Sequence, residues 1–228
     1  MKTKKILVLF YSFTGHTADM AREVTAGALS VSDTEVAIKL IPEILPDAFF
    51  DEKPDLKKIR DTLRAEFKEV TRDDFVEADG ILIGTPTHFG SFASQVKHFL
   101  DGLTPAWLKG KLVNKPVALF CSAGSMHGGE ELTLISLMIP LLNLGMIPIG
   151  IPYPIQGESS DFDAGSPYGA IFVSGHGRKP SEADRKIARI LGVRLASLAS
   201  ILSCGCEHCG ACRIFGESMG SLSQNKTL

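Results

Sequence analysis

Apolar residues gather into five short runs along the chain: Ile6 to Phe10, Val36 to Leu40, Gly80 to Ile83, Val117 to Phe120 and Met146 to Ile151. Each is of strand length, reads as apolar on both faces, and in most cases is bounded by Gly, Pro, Ser or Asp. Between them the apolar positions recur at helical spacing over Thr17 to Leu29, Asp55 to Lys68, Ala93 to Leu100 and Leu132 to Leu144. Strands buried on both faces, alternating with helices, predict an α/β domain with a parallel sheet between two helix layers. An antiparallel α+β arrangement would need tight hairpins, and no Asn-Gly or Asp-Gly turn directly joins two of the runs.

The connections carry further expectations. Pro42 to Asp79 is too long for a bare αβ loop and must contain its own helix. Pro152 to Gly169 is rich in Pro, Gly and Ser, an excursion after which Ala170 to Val173 reads as a short additional strand. Ser181-Glu182-Ala183-Asp184 resembles a capping box, and Ile187, Leu191, Leu195, Leu198 and Leu202 follow at helical spacing, predicting a last helix that ends near Gly205. The chain thus divides into a domain over residues 1–203 and a tail over 204–228.

Composition narrows the function classes. The 228 residues are 44% hydrophobic and 22% charged, with 24 Lys+Arg against 26 Asp+Glu and a net charge of -2. That is ordinary globular composition, without the basic field that a nucleic-acid partner requires. No apolar run approaches the roughly 18 residues of a membrane span. Met1-Lys2-Thr3-Lys4-Lys5 and the run after it lack the length and the cleavage site of a signal peptide, so a cytoplasmic location is expected.

The turn after the first run, Tyr11-Ser12-Phe13-Thr14-Gly15-His16-Thr17, lies between a strand and a helix, where backbone N–H groups and the helix dipole favour an anion. It offers hydroxyls and one Gly but no Lys or Arg, and neither G-x-x-x-x-G-K-[ST] nor G-x-G-x-x-G occurs in the chain. Neutral donors suit a single phosphate monoester; a Ser/Thr-rich turn that merely caps a helix is the plainer alternative. The spacing Ser12-x-Thr14-Gly15-x-Thr17 resembles the FMN-phosphate loop of the flavodoxin superfamily. That resemblance implies a doubly wound five-stranded parallel sheet of order 2-1-3-4-5, with helices on both faces and ligand at the carboxyl ends of the strands.

Two more loops fall on that edge. Gly84-Thr85-Pro86-Thr87-His88-Phe89-Gly90 and Cys121-Ser122-Ala123-Gly124-Ser125-Met126-His127-Gly128-Gly129-Glu130 combine small residues, backbone donors and an aromatic side chain, as a slot for a flat ring requires. Taken with Ala93-Ser94-Gln95-x-Lys97, Phe99-Leu100-Asp101, Trp107, Gly145-Met146, Gly165 to Ala170 and Pro180-Ser181-Glu182, their order and spacing resemble the WrbA family of flavodoxin-like NAD(P)H:quinone oxidoreductases. The resemblance covers about Lys4 to Leu202. It implies FMN-dependent two-electron reduction of quinones by NADH or NADPH, in a homotetramer whose active sites include residues of neighbouring subunits. It further implies that Ser12, Phe13, Thr14, Gly15, His16 and Thr17 hold the FMN phosphate. Thr85, Pro86, Thr87 and Phe89 would border the ring, and Ser122, Ala123, Gly124, Ser125, Met126 and His127 would complete its edge. Trp107, read alone as a core anchor, would lie over the substrate pocket. The chain departs from the family at Thr14, where an aromatic is frequent, at His88 in place of Arg, and at Asn143-Leu144 in place of a His.

The tail is a separate signal. Cys204, Cys206, Cys209 and Cys212 form C-x-C-x2-C-x2-C, part of which resembles an iron-sulfur ligand run; zinc, a redox-active thiol patch and no function are the alternatives. Cys121, the fifth cysteine, reads as a small buried residue, with a flavin-tuning or reactive role as the alternative. Besides the reductase, a flavin electron carrier for protein partners, including an iron-sulfur flavoprotein, and an FMN-binding protein without turnover remain open. The small net charge favours the reductase over an acidic carrier.

Overall fold

The computed structural model describes residues 3–152, 164–175 and 177–202. Strand β1 (Lys4–Phe10) takes an interior position in the sheet because both of its faces are apolar: Ile6, Val8 and Phe10 enter one core, Leu7 and Leu9 the other. On one side it pairs in parallel with β2 (Thr34–Leu40), on the other with β3 (Gly80–His88), which in turn pairs in parallel with β5 (Pro116–Ala123). Two segments share the next position. β6 (Ile147–Ile149) pairs with Pro116–Ala118 and β7 (Ala170–Val173) with Phe120–Ala123, both parallel. The short β4 (Ser91–Phe92) returns antiparallel along the end of β3. Set β4 aside and the order β2-β1-β3-β5-β6 is the expected 2-1-3-4-5, its last lane divided by residues 150–169.

Helices cover both faces. On one, α1 (His16–Leu29) and α8 (Glu182–Leu202) bury Ala18, Ala21, Val24, Leu191 and Leu195 against Val8, Phe10 and Phe120. At about 1.5–3 kcal/mol per large side chain, such burial dominates the favourable side of folding. The two helices cross closely. A Cβ on Gly27 would lie 2.0 Å from the Arg189 carbonyl oxygen, and one on Gly192 would lie 2.1 Å from that of Val24. Asp184 Oδ2 accepts the Ser181 N–H at 2.8 Å while Asp184 N–H donates to Ser181 Oγ at 3.2 Å, so the expected capping box starts α8. On the other face, α4 (Arg72–Glu77), α5 (Ser94–Asp101) and α7 (Glu130–Asn143) bring Phe75, Val96, Leu134, Leu137 and Leu141 onto Leu9, Ile83 and Leu119.

The β2–β3 connection holds three helices rather than one: α2 (Asp47–Asp51), α3 (Pro54–Glu66) and α4. Only α3 has enough apolar periodicity to be read from sequence. α2 has five residues, and α4 is fixed by a reciprocal cap between Thr71 and Asp74. A further short helix, α6 (Thr104–Leu108), follows α5. Two expected loop segments also prove to be strand: β3 runs through Thr85, Pro86 and Thr87 to His88, and β5 through Cys121, Ser122 and Ala123. Pairing with each other, and then with β4 and β7, extends them beyond the point where their apolar runs stop.

Candidate active site

Parallel pairing puts the carboxyl ends of β1, β3 and β5 on one edge, and specific contacts tie the three following segments together. Thr17 and Ser122 join the first to the third through a buried hydroxyl–hydroxyl hydrogen bond of 2.8 Å. The Phe13 ring meets the edge of His88, 6.0 Å between centroids, and joins the first to the second. A Cβ on Gly129 would lie 2.7 Å from Gly90 Cα, so the second and third touch at their backbones.

In the first segment Gly15 takes φ 89° as the N-cap of α1, a conformation that turns the chain abruptly from strand into helix. Ser12 is buried and its hydroxyl accepts the Ala18 amide at 3.3 Å, while Thr14 is exposed. The first-turn amides of α1 have no intrahelical acceptor and carry the positive end of the helix dipole. His16 Nδ1 is buried with no hydrogen-bond partner among the described residues. Burial lowers the His16 pKa below the ordinary imidazole value; Asp19 opposes the shift and Lys179 adds to it. The arrangement fits one phosphate monoester held by neutral donors. Lys179 stands at its margin, 3.0 Å from Asp19, and Phe172 packs edge-on to His16. Sequence reasoning missed both, because their approach to the loop comes from pairing of β7 with β5 over a long chain separation.

The second segment ends in a two-residue hairpin, Phe89-Gly90, with φ 52° and 73°. Both left-handed values are what a hairpin twisted with its strands requires, and Phe in such a position is strained. Phe89 is fully exposed at the rim. The Thr85 hydroxyl is committed to the structure, accepting the Ala93 amide at 3.0 Å. Thr87 Oγ1 is buried with no oxygen or nitrogen partner among the described residues; its neighbour is the Cys121 thiol. In the third segment Ser122 and Ala123 are buried, and Gly124, Ser125, Met126 and His127 are exposed. Nothing lies within 4 Å of a Cβ built on Gly124, so the segment opens onto space. Burial pushes the Cys121 thiol up to about 12, which makes it an inert, packed group as expected.

A polar cluster absent from the sequence expectations adjoins the first two segments. Both oxygens of Glu43 are engaged: one accepts the Tyr11 hydroxyl at 2.6 Å, the other accepts Gln95 Nε2 at 2.7 Å and the amides of Ile44 and Leu45 at 2.9 and 3.0 Å. Burial and the Glu43 carboxylate together raise the Tyr11 pKa far above the ordinary phenol value, so Tyr11 remains a neutral donor. Burial lowers the His88 pKa, and the charge of Glu43 opposes that shift.

Trp107 lies elsewhere. Its indole N–H donates to the Asn143 carbonyl at 3.1 Å, at the C-terminus of α7. The third segment adjoins the N-terminus of the same 14-residue helix, about 20 Å away at 1.5 Å per residue. Half-exposed, Trp107 instead borders a largely apolar groove of about 460 Å³ formed by α5, α6 and α7. The tail expectation concerns Cys204, Cys206, Cys209 and Cys212, which lie outside the described residues. Among the described residues no group of three or more His, Cys, Asp or Glu is placed to hold a metal ion, and no helix is long and apolar enough to cross a membrane.

Comparison with known proteins agrees with this fold. The family described as NADPH-dependent FMN reductase matches residues 5–160. A protein of Geotalea uraniireducens named NAD(P)H dehydrogenase (quinone) is 38% identical over 203 residues, covering 87% of this chain and 99% of its own. One of the same name from Aromatoleum aromaticum is 37% identical over 202 residues, covering 87% and 97%. Among solved structures, a WrbA-like flavodoxin of Agrobacterium tumefaciens superposes with a TM-score of 0.57 at 22% identity, over 87% of this chain and 98% of that one. An archaeal flavodoxin does so with a TM-score of 0.56 at 19% identity, over 86% and 99%. The flavodoxin-like fold, the match over residues 5–160 and the near-complete coverage of both curated relatives together place the chain in the NADPH-dependent FMN reductase family.

Proposed function

We propose that the chain is an FMN-dependent NAD(P)H:quinone oxidoreductase. The observation that carries this reading is one sheet edge joining a helix start suited to an anion, made of neutral donors, to an open slot between the Phe89 hairpin and the Gly124 to His127 turn. FMN when bound supplies hydride acceptance and electron storage. The chain's part is to hold the phosphate at Ser12 to Thr17, to frame the ring with Thr85 to Thr87, Phe89 and Ser122 to His127, and to leave one side open for nicotinamide and quinone in turn. The relatives' name supports nicotinamide and quinone as the reactants. Titration of the flavin-free protein tests the site. FMN is expected to bind at least tenfold more tightly than riboflavin, which lacks the phosphate, and Ser12→Ala is expected to narrow that gap. Equal affinity for the two flavins would contradict the phosphate assignment.

We infer that the working particle is a homotetramer in the cytoplasm, with Trp107 serving the ring slot of a neighbouring copy. The position of Trp107 far from its own slot supports this. So does the apolar outer face of α7, where Leu132, Ile139 and Leu142 are each more than half exposed. Sedimentation of the purified protein as a tetramer is expected; a monomer at working concentration would reject the assembly and the role of Trp107 with it. A metal centre at Cys204, Cys206, Cys209 and Cys212 is a separate proposal resting on spacing. Stoichiometric iron or zinc in anaerobically purified protein would support it, and absence of both would reject it.

A further inference from the structure

His88 stands where three elements meet. It ends β3, its ring packs edge-on against Phe13 of the phosphate loop, and the field of Glu43 from the β2–α2 connection acts on it. It is half-buried, between Thr87 and the exposed Phe89 of the ring slot. Glu43 is an unusual neighbour. Four donors bind its two oxygens, Gln95, Ile44 and Leu45 on one and Tyr11 on the other. These hydrogen bonds fix the carboxylate in place beside the strand ends. Of the groups that bound the cluster, Phe13 is apolar, Gln95 is neutral and Tyr11 keeps its proton, while Arg60 and Arg64 of α3 line the same cavity as Glu43. Burial is the larger influence on the proton affinity of His88, and Glu43 is the charge that acts against it.

We propose that His88, backed by Glu43, holds and delivers the proton that quinone reduction consumes in addition to hydride. The inference rests on the quinone reductase reading. A quinone becomes a hydroquinone by gaining two electrons and two protons. Hydride brings both electrons and one of those protons; the second leaves an imidazolium N–H of His88 for a quinone oxygen. The neutral imidazole then regains a proton from water, reaching it from the solvent side. Two opposing influences suit the group to this exchange: burial among Phe13 and the strand ends promotes proton release, and the fixed carboxylate promotes recapture. An arginine at this position could supply charge but could not give up a proton near neutral pH. The imidazole at this position therefore decides the chemistry available at the rim.

Two measurements test the proposal. In the flavin-free protein, NMR titration of the His88 ring protons is expected to show a lower midpoint in Glu43→Gln than in the unmodified chain, because a stabilising negative charge is gone. In the loaded protein, pre-reduced with dithionite and mixed with a benzoquinone, the oxidation rate is expected to fall as pH rises through the His88 midpoint. His88→Asn should lose that limb and be slower by about tenfold or more on its acid side, general acid catalysis being worth roughly 10²–10⁴ in rate. Glu43→Gln should move the limb to lower pH. An unchanged NMR midpoint in Glu43→Gln, or a His88→Asn profile matching the unmodified protein, would overturn the proposal. FMN binding and reduction by NADH or NADPH are recorded first. Their failure would overturn the reductase reading, and the NMR titration would still report whether Glu43 controls His88.

Discussion

Glu43 shows how one side chain without a recognisable motif organises the edge of the site. Replacing it by Ala removes the acceptor of the Tyr11 hydroxyl and of the Gln95 amide, both buried. A buried donor left unsatisfied costs about 1–3 kcal/mol. Glu43→Ala is therefore expected to lower unfolding stability by about 2 kcal/mol, read as a fall in the urea midpoint at unchanged slope. The histidines give a pH dependence of definite sign. Folded His16 and His88 bind protons less readily than an unfolded imidazole, whose pKa is about 6.5. Below that value the unfolded chain binds more protons than the folded one. Their contribution leaves stability unchanged above about pH 6.5 and lowers it as pH falls toward the folded-state values. Urea midpoints at about pH 7.5 and pH 5.5 should show the fall, and His88→Asn should make it smaller.

Among the elements, the crossing of α1 and α8 is the least tolerant. Ala is the better helix former by about 1 kcal/mol, so an exposed glycine-to-alanine change would stabilise. At Gly27 the added methyl would meet the Arg189 carbonyl oxygen at 2.0 Å, a backbone atom that cannot rotate away. Gly27→Ala is expected to destabilise by about 3 kcal/mol or more, within the upper range of overpacking, and to lower the melting temperature accordingly. The same closeness separates what the sequence makes legible from what it hides. The five principal strand lanes, α1, α3, α5, α7 and the Ser181–Asp184 cap were readable, because buried strands and amphipathic helices impose a period that one-dimensional inspection detects. Strand beyond Ile83 and Phe120 was not. Thr85 and Pro86 are strand because they pair with Cys121 and Ser122, Thr87 and His88 because β4 lies beside them, and Cys121 to Ala123 because β7 does; that neighbourhood is a property of the fold. The phosphate loop was legible as hydroxyl spacing. Lys179, Phe172 and Glu43 reach it across long chain separations and left no local mark.

Across the whole molecule the two ends of α7 have different tasks. The first turn adjoins the ring slot, and the last carbonyls hold Trp107 at the margin of the apolar groove. An exposed face carrying Leu132, Ile139 and Leu142 is suited to burial against a second copy of the chain. Ile139→Asp is expected to dissociate the assembly, read by sedimentation, while leaving FMN binding by the isolated chain intact. Loss of FMN binding in step with dissociation would show that the interface holds the flavin itself and does not serve only to bring Trp107 to the slot. The most direct test of the whole account is the absorbance of the FMN-loaded protein under anaerobic conditions. Addition of NADH or NADPH is expected to bleach the flavin bands, and a benzoquinone is expected to restore them with one quinone reduced per nicotinamide oxidised. Flavin bands that neither nucleotide bleaches would contradict it.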